Sequence, residues 1–185
     1  RDYGTSIACL VSNHSLDAMT GIQFVSDSLD GTWMTTFSST LSEDVLGSLR
    51  ELDLSNNPFG DYGMIAFANA LTPSSDILVG LRELYLGGTA INVGGMKAFS
   101  KALSYGSLPS LQILSFTKPH RHNDFSDEGM LDFSIALSSG ALESLKELYL
   151  GGNKFGFEGM KAFSGALSSG ALSSLQIFSF GEDHA

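Results

Sequence analysis

Apolar residues follow two patterns that alternate along most of the chain. In residues 81–86, LRELYL, the last two leucines lie two residues apart, which predicts one buried face of a short strand. Further on, the apolar spacing changes to three and four, at Met96, Phe99 and Leu103, which predicts one apolar stripe of a short helix. Each such stretch therefore predicts a strand followed by a helix.

The strand-and-helix pattern recurs because the chain carries an internal duplication. Residues 81–116 align without a gap on residues 145–180, and about two thirds of the positions are identical. Within each copy a shorter unit repeats in the order L-x-x-L-x-L-x-x-N-x-F-x-x-x-G-M-x-x-F. Units start near residues 19, 49, 81, 111, 145 and 175, and residues 1–18 hold part of a further unit. A single unit cannot bury its own apolar face, so stacking of the units is expected.

This unit resembles the leucine-rich repeat in its long, ribonuclease-inhibitor-like subtype, and the wording G-M-K-A-F-S-x-A-L-S-x-G is similar to repeat families of unicellular algae. Asp27 and Thr89 depart from the expected asparagine, and Trp33 departs from the expected glycine. The resemblance implies an α/β solenoid, a horseshoe arc with a parallel concave β-sheet of about six strands and helices on the convex side. We expect one such domain over residues 1–185, as a fragment of a longer chain.

The register of the units predicts where strands, core and turns lie. Strands are expected near residues 22–24, 51–54, 83–86, 113–116, 147–150 and 177–180. One buried ladder should consist of Phe24, Leu54, Leu86, Phe116, Leu150 and Phe180. Left-handed helix caps are expected at Gly106, Gly140 and Gly170. The Gly-Gly pairs at 87–88, 94–95 and 151–152 are interpreted as tight turns after strands, since they lack the order of a phosphate-binding loop.

Charge and cysteine content restrict the class of partner. The formal net charge is −10, whereas nucleic-acid binding needs a concentrated basic face, so no nucleic-acid role is expected. Such an acidic surface favours solubility, or attraction to a basic patch on a protein partner. No apolar run approaches the roughly 20 residues that span a bilayer. Cys9 is the only cysteine, and although Asn13 begins a glycosylation triplet, an intracellular or organellar compartment is expected.

Residues between the buried leucines of each strand should point out of the concave face and form the candidate binding surface. The duplicated phrase places Glu83 with Tyr85 and Glu147 with Tyr149, two strands apart. Aromatic residues beside acids suit protein binding. The alternative is that duplication copied these residues without selection, with nearby basic residues offsetting the acids. The predicted partner-binding residues are Glu51, Asp53, Glu83, Tyr85, Ile113, Ser115, Glu147, Tyr149, Ile177, His120, Arg121 and His122.

The last three of these residues belong to an insertion, KPHRHNDFSDE at residues 118–128. His120 and His122 beside carboxylates suggest metal ligation, but no second cluster completes a tetrahedral set, so a solvated loop or a partner contact is preferred and no metal or cofactor is expected. No catalytic constellation is recognisable. The expected function is a non-catalytic protein-interaction scaffold or complex subunit. The alternative is a regulator such as a GTPase-activating leucine-rich-repeat protein, for which Arg121 is the candidate catalytic arginine.

The end of the sequence has an apolar flank. SLQIFSFGEDHA stops just after a strand, without the helix that would cover Phe178 and Phe180. An uncapped repeat leaves its apolar face and strand edge open. We therefore expect this edge to be covered by further repeats or by a neighbouring chain.

Overall fold

Short strands and helices alternate throughout the computed structural model, which describes residues 19–24, 29–41, 46–71, 77–118 and 123–181. The strands are β1 (Gly21–Gln23), β2 (Glu51–Asp53), β3 (Glu83–Tyr85), β4 (Ile113–Ser115), β5 (Glu147–Tyr149) and β6 (Ile177–Ser179). The described helices are α1 (Gly31–Thr40), α2 (Gly60–Ala70), α3 (Val93–Ser104), α4 (Ser126–Ser138) and α5 (Phe157–Ser168).

The six strands form one parallel sheet in sequence order, β1 to β6. Equivalent residues of neighbouring units pair directly, as Leu52 with Leu84 and Leu84 with Leu114. Each helix packs against the helix of the next unit. The predicted α/β solenoid with a parallel sheet on one side and helices on the other is confirmed, and each strand begins within one residue of its predicted start.

The predicted ladder after the strands is buried in its interior and open at one end. Leu54, Leu86, Phe116 and Leu150 are fully buried. Phe24 is half-buried, and Phe180 is 60 % exposed. The prediction is therefore wrong for Phe180, because β6 pairs only with β5 among the described residues and nothing there packs over its outer side.

An asparagine after the strand ties one unit to the unit before it. Asn123 donates from Nδ2 to the backbone oxygen of Leu86 at 2.8 Å, and its Oδ1 accepts from the backbone N–H groups of Thr89 and Ile91. The hydroxyl of Thr89, which departs from the expected asparagine, lies 2.9 Å from both Leu86 O and Asn123 Oδ1, and its one proton is shared between these two acceptors. A buried polar group needs such partners, so the threonine is satisfied by the asparagine of the following unit. Asp27 lies outside the described residues.

Glycine ends three helices as predicted. Gly106, Gly140 and Gly170 have φ values of +84°, +91° and +94°, the left-handed conformation that glycine adopts without a steric penalty. Four leucines follow the helices with φ between +56° and +61° and are almost fully buried. These leucines are Leu78, Leu108, Leu142 and Leu172.

A second set of glycines lets adjacent helices approach. A Cβ added at each of them would lie 2.9–3.3 Å from the Cβ of a methionine on the preceding helix, which is too close for real side chains without some adjustment. The pairs are Gly63 with Met34, Gly95 with Met64, Gly129 with Met96 and Gly159 with Met130. The turn predicted at residues 94–95 is wrong, because both glycines lie inside α3, whereas 87–88 and 151–152 are turns.

Trp33 stands at the position of these glycines in α1. Within the described chain no helix precedes α1, so no methionine limits the space there. The indole stacks on Phe37 at 5.2 Å and meets Phe24 edge to face at 4.8 Å. Among the described residues, the irregular first unit therefore has an aromatic cluster where the later units have a close helix contact.

Candidate functional site

The sheet presents two columns of side chains on the face opposite the helices. The first and third residues of each strand point away from the buried leucines. The inner column is Gly21, Glu51, Glu83, Ile113, Glu147 and Ile177. The outer column is Gln23, Asp53, Tyr85, Ser115, Tyr149 and Ser179. The register thus places all nine strand residues of the predicted site on one surface, which we call the concave columns.

Two identical tyrosine–glutamate pairs dominate the concave columns. The hydroxyl of Tyr85 donates to Oε2 of Glu83 at 2.8 Å, and the hydroxyl of Tyr149 donates to Oε2 of Glu147 at 2.8 Å. All four side chains are half-buried. Because a charge-assisted hydrogen bond is directional, each tyrosine holds its carboxylate in one orientation. Oε1 of each glutamate has no hydrogen-bond partner among the described residues.

The tyrosines report the negative charge of this surface. The pKa of Tyr85 is raised above its usual value by burial, then by the hydrogen bond to Glu83, and then by the carboxylates of Glu51 and Glu147. The pKa of Tyr149 is raised chiefly by its hydrogen bond to Glu147 and next by burial. Carboxylates on three different strands therefore act on one phenol.

The remaining polar residues of the columns are less prominent. Asp53 accepts from Gln23 Nε2 at 2.9 Å and from the backbone N–H of Ser55 at 2.8 Å, so its charge is partly satisfied within the protein. Ser115 is almost buried, at 7 % exposure, and lies between Tyr85 and Tyr149 in the register of the sheet. Ile113 is half-buried, and Ile177 is 45 % exposed.

The basic residues before the strands do not neutralise these acids by contact. Arg50 donates to the backbone oxygens of Gly47 and Leu49 at 3.1 Å, and Lys146 donates to Gln112 at 3.1 Å. Within the described ranges, ion pairs join Lys154 to Asp124 and Lys161 to Glu158 instead. The concave glutamates therefore stay without a basic partner in that part of the chain.

Comparisons with known proteins agree with this architecture. The family profile described as "Leucine Rich repeat" matches residues 48–68 and 141–164. A solved structure of actin-binding site 2 of leiomodin-1 superposes with a TM-score of 0.62 at 18 % identity, over 89 % of this chain and 87 % of that chain. The fold is a leucine-rich-repeat solenoid. Curated protein sequences give no match.

The structure describes only part of the insertion at residues 118–128. His120, Arg121 and His122 lie outside the described residues, so their predicted contact with a partner stays a prediction. Two carboxylates that follow them are already engaged, because Asp124 pairs with Lys154 at 2.7 Å and Asp127 accepts from the backbone N–H of Gly159 at 2.9 Å. In the ranges that the structure covers, no group of three His, Cys, Asp or Glu side chains is placed to hold a metal ion.

The helical side of the solenoid carries a groove that was not predicted from the sequence. It lies between α4 and α5, has a volume of about 490 Å³, and is lined by Asp127, Glu128, Leu131, Glu158, Lys161 and Ala162. Leu131 is 49 % exposed, and Ile135, one turn further along α4, is 59 % exposed. In the sequence, this groove is indicated by the i, i+4 apolar pair outside the buried stripe of the helix.

In the described chain, no helix is both long and apolar enough to cross a membrane.

Proposed function

We propose that this solenoid is a non-catalytic protein-interaction module that binds a protein partner through the concave columns. The observation that carries the proposal is the repeated Tyr–Glu pair, since each pair offers a fixed aromatic ring beside a carboxylate that no cation of the described chain satisfies. Fixed aromatic side chains supply contact area at low entropic cost, and such residues are enriched in the cores of interfaces. The charge of the surface favours a partner with a basic patch.

The comparisons support the class of function and leave the partner open. Leiomodin-1 site 2 is named as an actin-binding site, so a solenoid of this shape serves protein binding there. An identity of 18 % carries the fold alone. We also propose that the repeats belong to the long, ribonuclease-inhibitor-like subtype, and the helix of 10–13 residues that follows each of the first five strands supports this. The regulator alternative depends on Arg121, for which the described residues supply no support.

Partner capture with matched tyrosine variants tests the proposal. Immobilised parent protein, the Tyr85→Ala/Tyr149→Ala variant and a Tyr62→Ala/Tyr105→Ala control are compared on extracts of the source cells. Tyr62 and Tyr105 are 66 % and 54 % exposed on the helical side of the units. We expect the concave variant to lose the captured protein and the control to retain it. Normal capture by the concave variant would exclude this face as the site.

A further inference from the structure

The internal duplication places one apolar face in two different settings. Three residues of the first copy recur unchanged in the second copy, Met96 as Met160, Leu103 as Leu167, and Phe116 as Phe180. In the first copy all three side chains are fully buried. In the second copy the methionine is half-buried, and the leucine and the phenylalanine are exposed. The two faces therefore share these residues and differ in what packs on them.

In the first copy, the residues that pack on this face belong to the following unit. Helix α4 packs against α3, and a Cβ added at Gly129 of α4 would lie 3.3 Å from the Cβ of Met96. Phe125 and Phe133 meet the ring of Phe116 edge to face, at 5.3 and 6.3 Å. A small residue against the methionine and aromatic rings on the phenylalanine thus complete the burial.

The open edge of β6 presents the backbone groups that join the earlier strands. Phe116 N–H donates to the backbone oxygen of Tyr149 at 2.9 Å, and Leu150 N–H donates to that of Ser179 at 2.8 Å. Within the described ranges, Phe180 N–H has no such acceptor. An edge strand with unpaired groups is a template for a further strand, and β6 carries none of the charged residues that would block it.

We propose that the face formed by α5 and β6 is a unit-to-unit interface. Its occupant is a further leucine-rich-repeat unit of the kind formed by α4 and β5, stacked as the next unit of the solenoid. This unit brings a glycine against Met160, aromatic rings onto Phe180 and a parallel strand alongside β6. The inference is independent of the concave columns, which lie on another surface.

The glycine distinguishes this occupant from the first described unit of a second copy of the chain. In that unit, Trp33 of α1 stands at the position of the glycine. Its indole already packs against Phe24 and Phe37. A head-to-tail contact through α1 would therefore place an indole where Met160 needs the smallest residue.

An appended unit tests the proposal. Residues 117–150 are added a second time directly after Phe180, in place of residues 181–185, just as they follow Phe116 in the first copy. Amide hydrogen exchange at Phe180 is compared between the parent and the extended protein. We expect this exchange to slow at least about tenfold in the extended protein, because the N–H then donates to the appended strand.

A side-chain variant tests whether the ring becomes buried as well. Phe180→Ala is made in both proteins, and the urea midpoint of each is measured. We expect a larger shift of the midpoint in the extended protein, since the ring is enclosed only there.

The matched control is the same extension with Gly129→Leu in the appended copy. Its leucine would collide with Met160, so Phe180 should exchange as in the parent. Leucine favours a helix more than glycine does, so the control does not weaken the appended helix itself.

Three results would overturn the inference. The first is unchanged exchange at Phe180 in the extended protein, including the case of an appended copy that stays unfolded. The second is equal protection of Phe180 by the extension and by its Gly129→Leu control. The third is a parent protein that already protects Phe180 and whose mass rises with concentration, which would assign the face to a second copy.

Discussion

Four buried leucines hold a backbone conformation that leucine rarely adopts. Leu108 has φ of +58° and is 1 % exposed, and its backbone oxygen accepts from Leu111 N–H at 3.2 Å. A left-handed residue with a Cβ costs about 1–2 kcal/mol. The same leucine recurs in the same place of four units, so burial of its side chain offsets the strain each time.

This strain should invert the usual order of alanine and glycine variants. At Leu108 both substitutions lose about 2–5 kcal/mol of buried contacts, but glycine also relieves the strain. We therefore expect Leu108→Gly to be at least as stable as Leu108→Ala, by up to about 1 kcal/mol in urea unfolding. Leu111, fully buried without a positive φ, is the control. There the glycine variant should be less stable than the alanine variant by about 0.5–1 kcal/mol. The same order at both positions would contradict the strain.

The tyrosine pairs predict a loss of stability in alkali. An unfolded tyrosine titrates near pH 10, whereas the folded pKa of Tyr85 is raised by burial and by Glu83. Above about pH 10 the folded state thus keeps a proton that the unfolded state has lost. The stability from this group is complete below the unfolded pKa and declines as pH rises towards the folded pKa. Tyr85→Phe should show a smaller decline in urea midpoint between about pH 9 and about pH 11. An equal decline in parent and variant would exclude Tyr85 as its source.

At this scale the sequence predicted which residues share a surface and not how they bond. The period of two placed Glu83 and Tyr85 on one face, because the side-chain alternation of a strand is fixed. The hydrogen bond between them depends on two side-chain rotamers that no periodicity encodes. Nor is leucine a signal for positive φ, so only the glycine caps were predicted.

At the scale of elements, two aspartates on different helices each bind the start of the helix that follows. Asp61 in α2 accepts from Asn92 N–H at 2.7 Å, and Asp127 in α4 accepts from Gly156 and Gly159 N–H at 2.5 and 2.9 Å. The first N–H groups of a helix have no partner within it. Each aspartate therefore caps the start of the next helix, α3 or α5.

Removal of either cap should lower the free energy of unfolding of the protein as a whole. We expect Asp61→Ala and Asp127→Ala each to lower the free energy of unfolding by about 1 kcal/mol, as for other helix caps. Their effects should add within about 0.5 kcal/mol in the double variant, since the sites share no partner. Asp132→Ala, on the same helix as Asp127, is the control and should stay within about 0.5 kcal/mol of the parent. A control loss as large as the cap losses would refute the capping role.

The sequence indicates part of this capping arrangement. Asp61 and Asp127 occupy the same position of their units once the four-residue insertion is removed, and Val93 and Phe157 occupy it in the alternating units. That alternation marks a pairwise feature. The acceptor's target lies 29 to 32 residues away, however, and only the stacking of the units brings it near.

Across the whole molecule, the burial of a residue depends on where its unit lies in the solenoid. Phe116 and Phe180 occupy the same position, but Phe116 contacts Phe125 and Phe99 at ring distances of 5.3 and 6.1 Å and is fully buried. Phe180 is 60 % exposed and meets Phe178 at 5.6 Å. A solenoid buries a side chain only between two neighbouring units.

The two phenylalanines should therefore respond differently to the same change. We expect Phe116→Ala to cost about 3–5 kcal/mol, and Phe180→Ala less than about 1 kcal/mol, in chemical unfolding. Similar losses at both positions would show that Phe180 is covered in solution. Repetition predicted the shared register of these residues, but the burial at each end depends on what packs beyond it, which the repeat pattern does not contain.

The glycine–methionine contacts between helices have a consequence for the opposite face. Strands repeat at about 4.8 Å, whereas packed helices repeat at about 8–10 Å, and this difference in pitch bends the sheet towards its open side. Glycine at Gly63, Gly95, Gly129 and Gly159 keeps the outer pitch short. Each methyl group added there would act as a wedge and tighten the radius of curvature. The width of the space in front of the tyrosines is thus set by residues on the opposite, helical side of the solenoid.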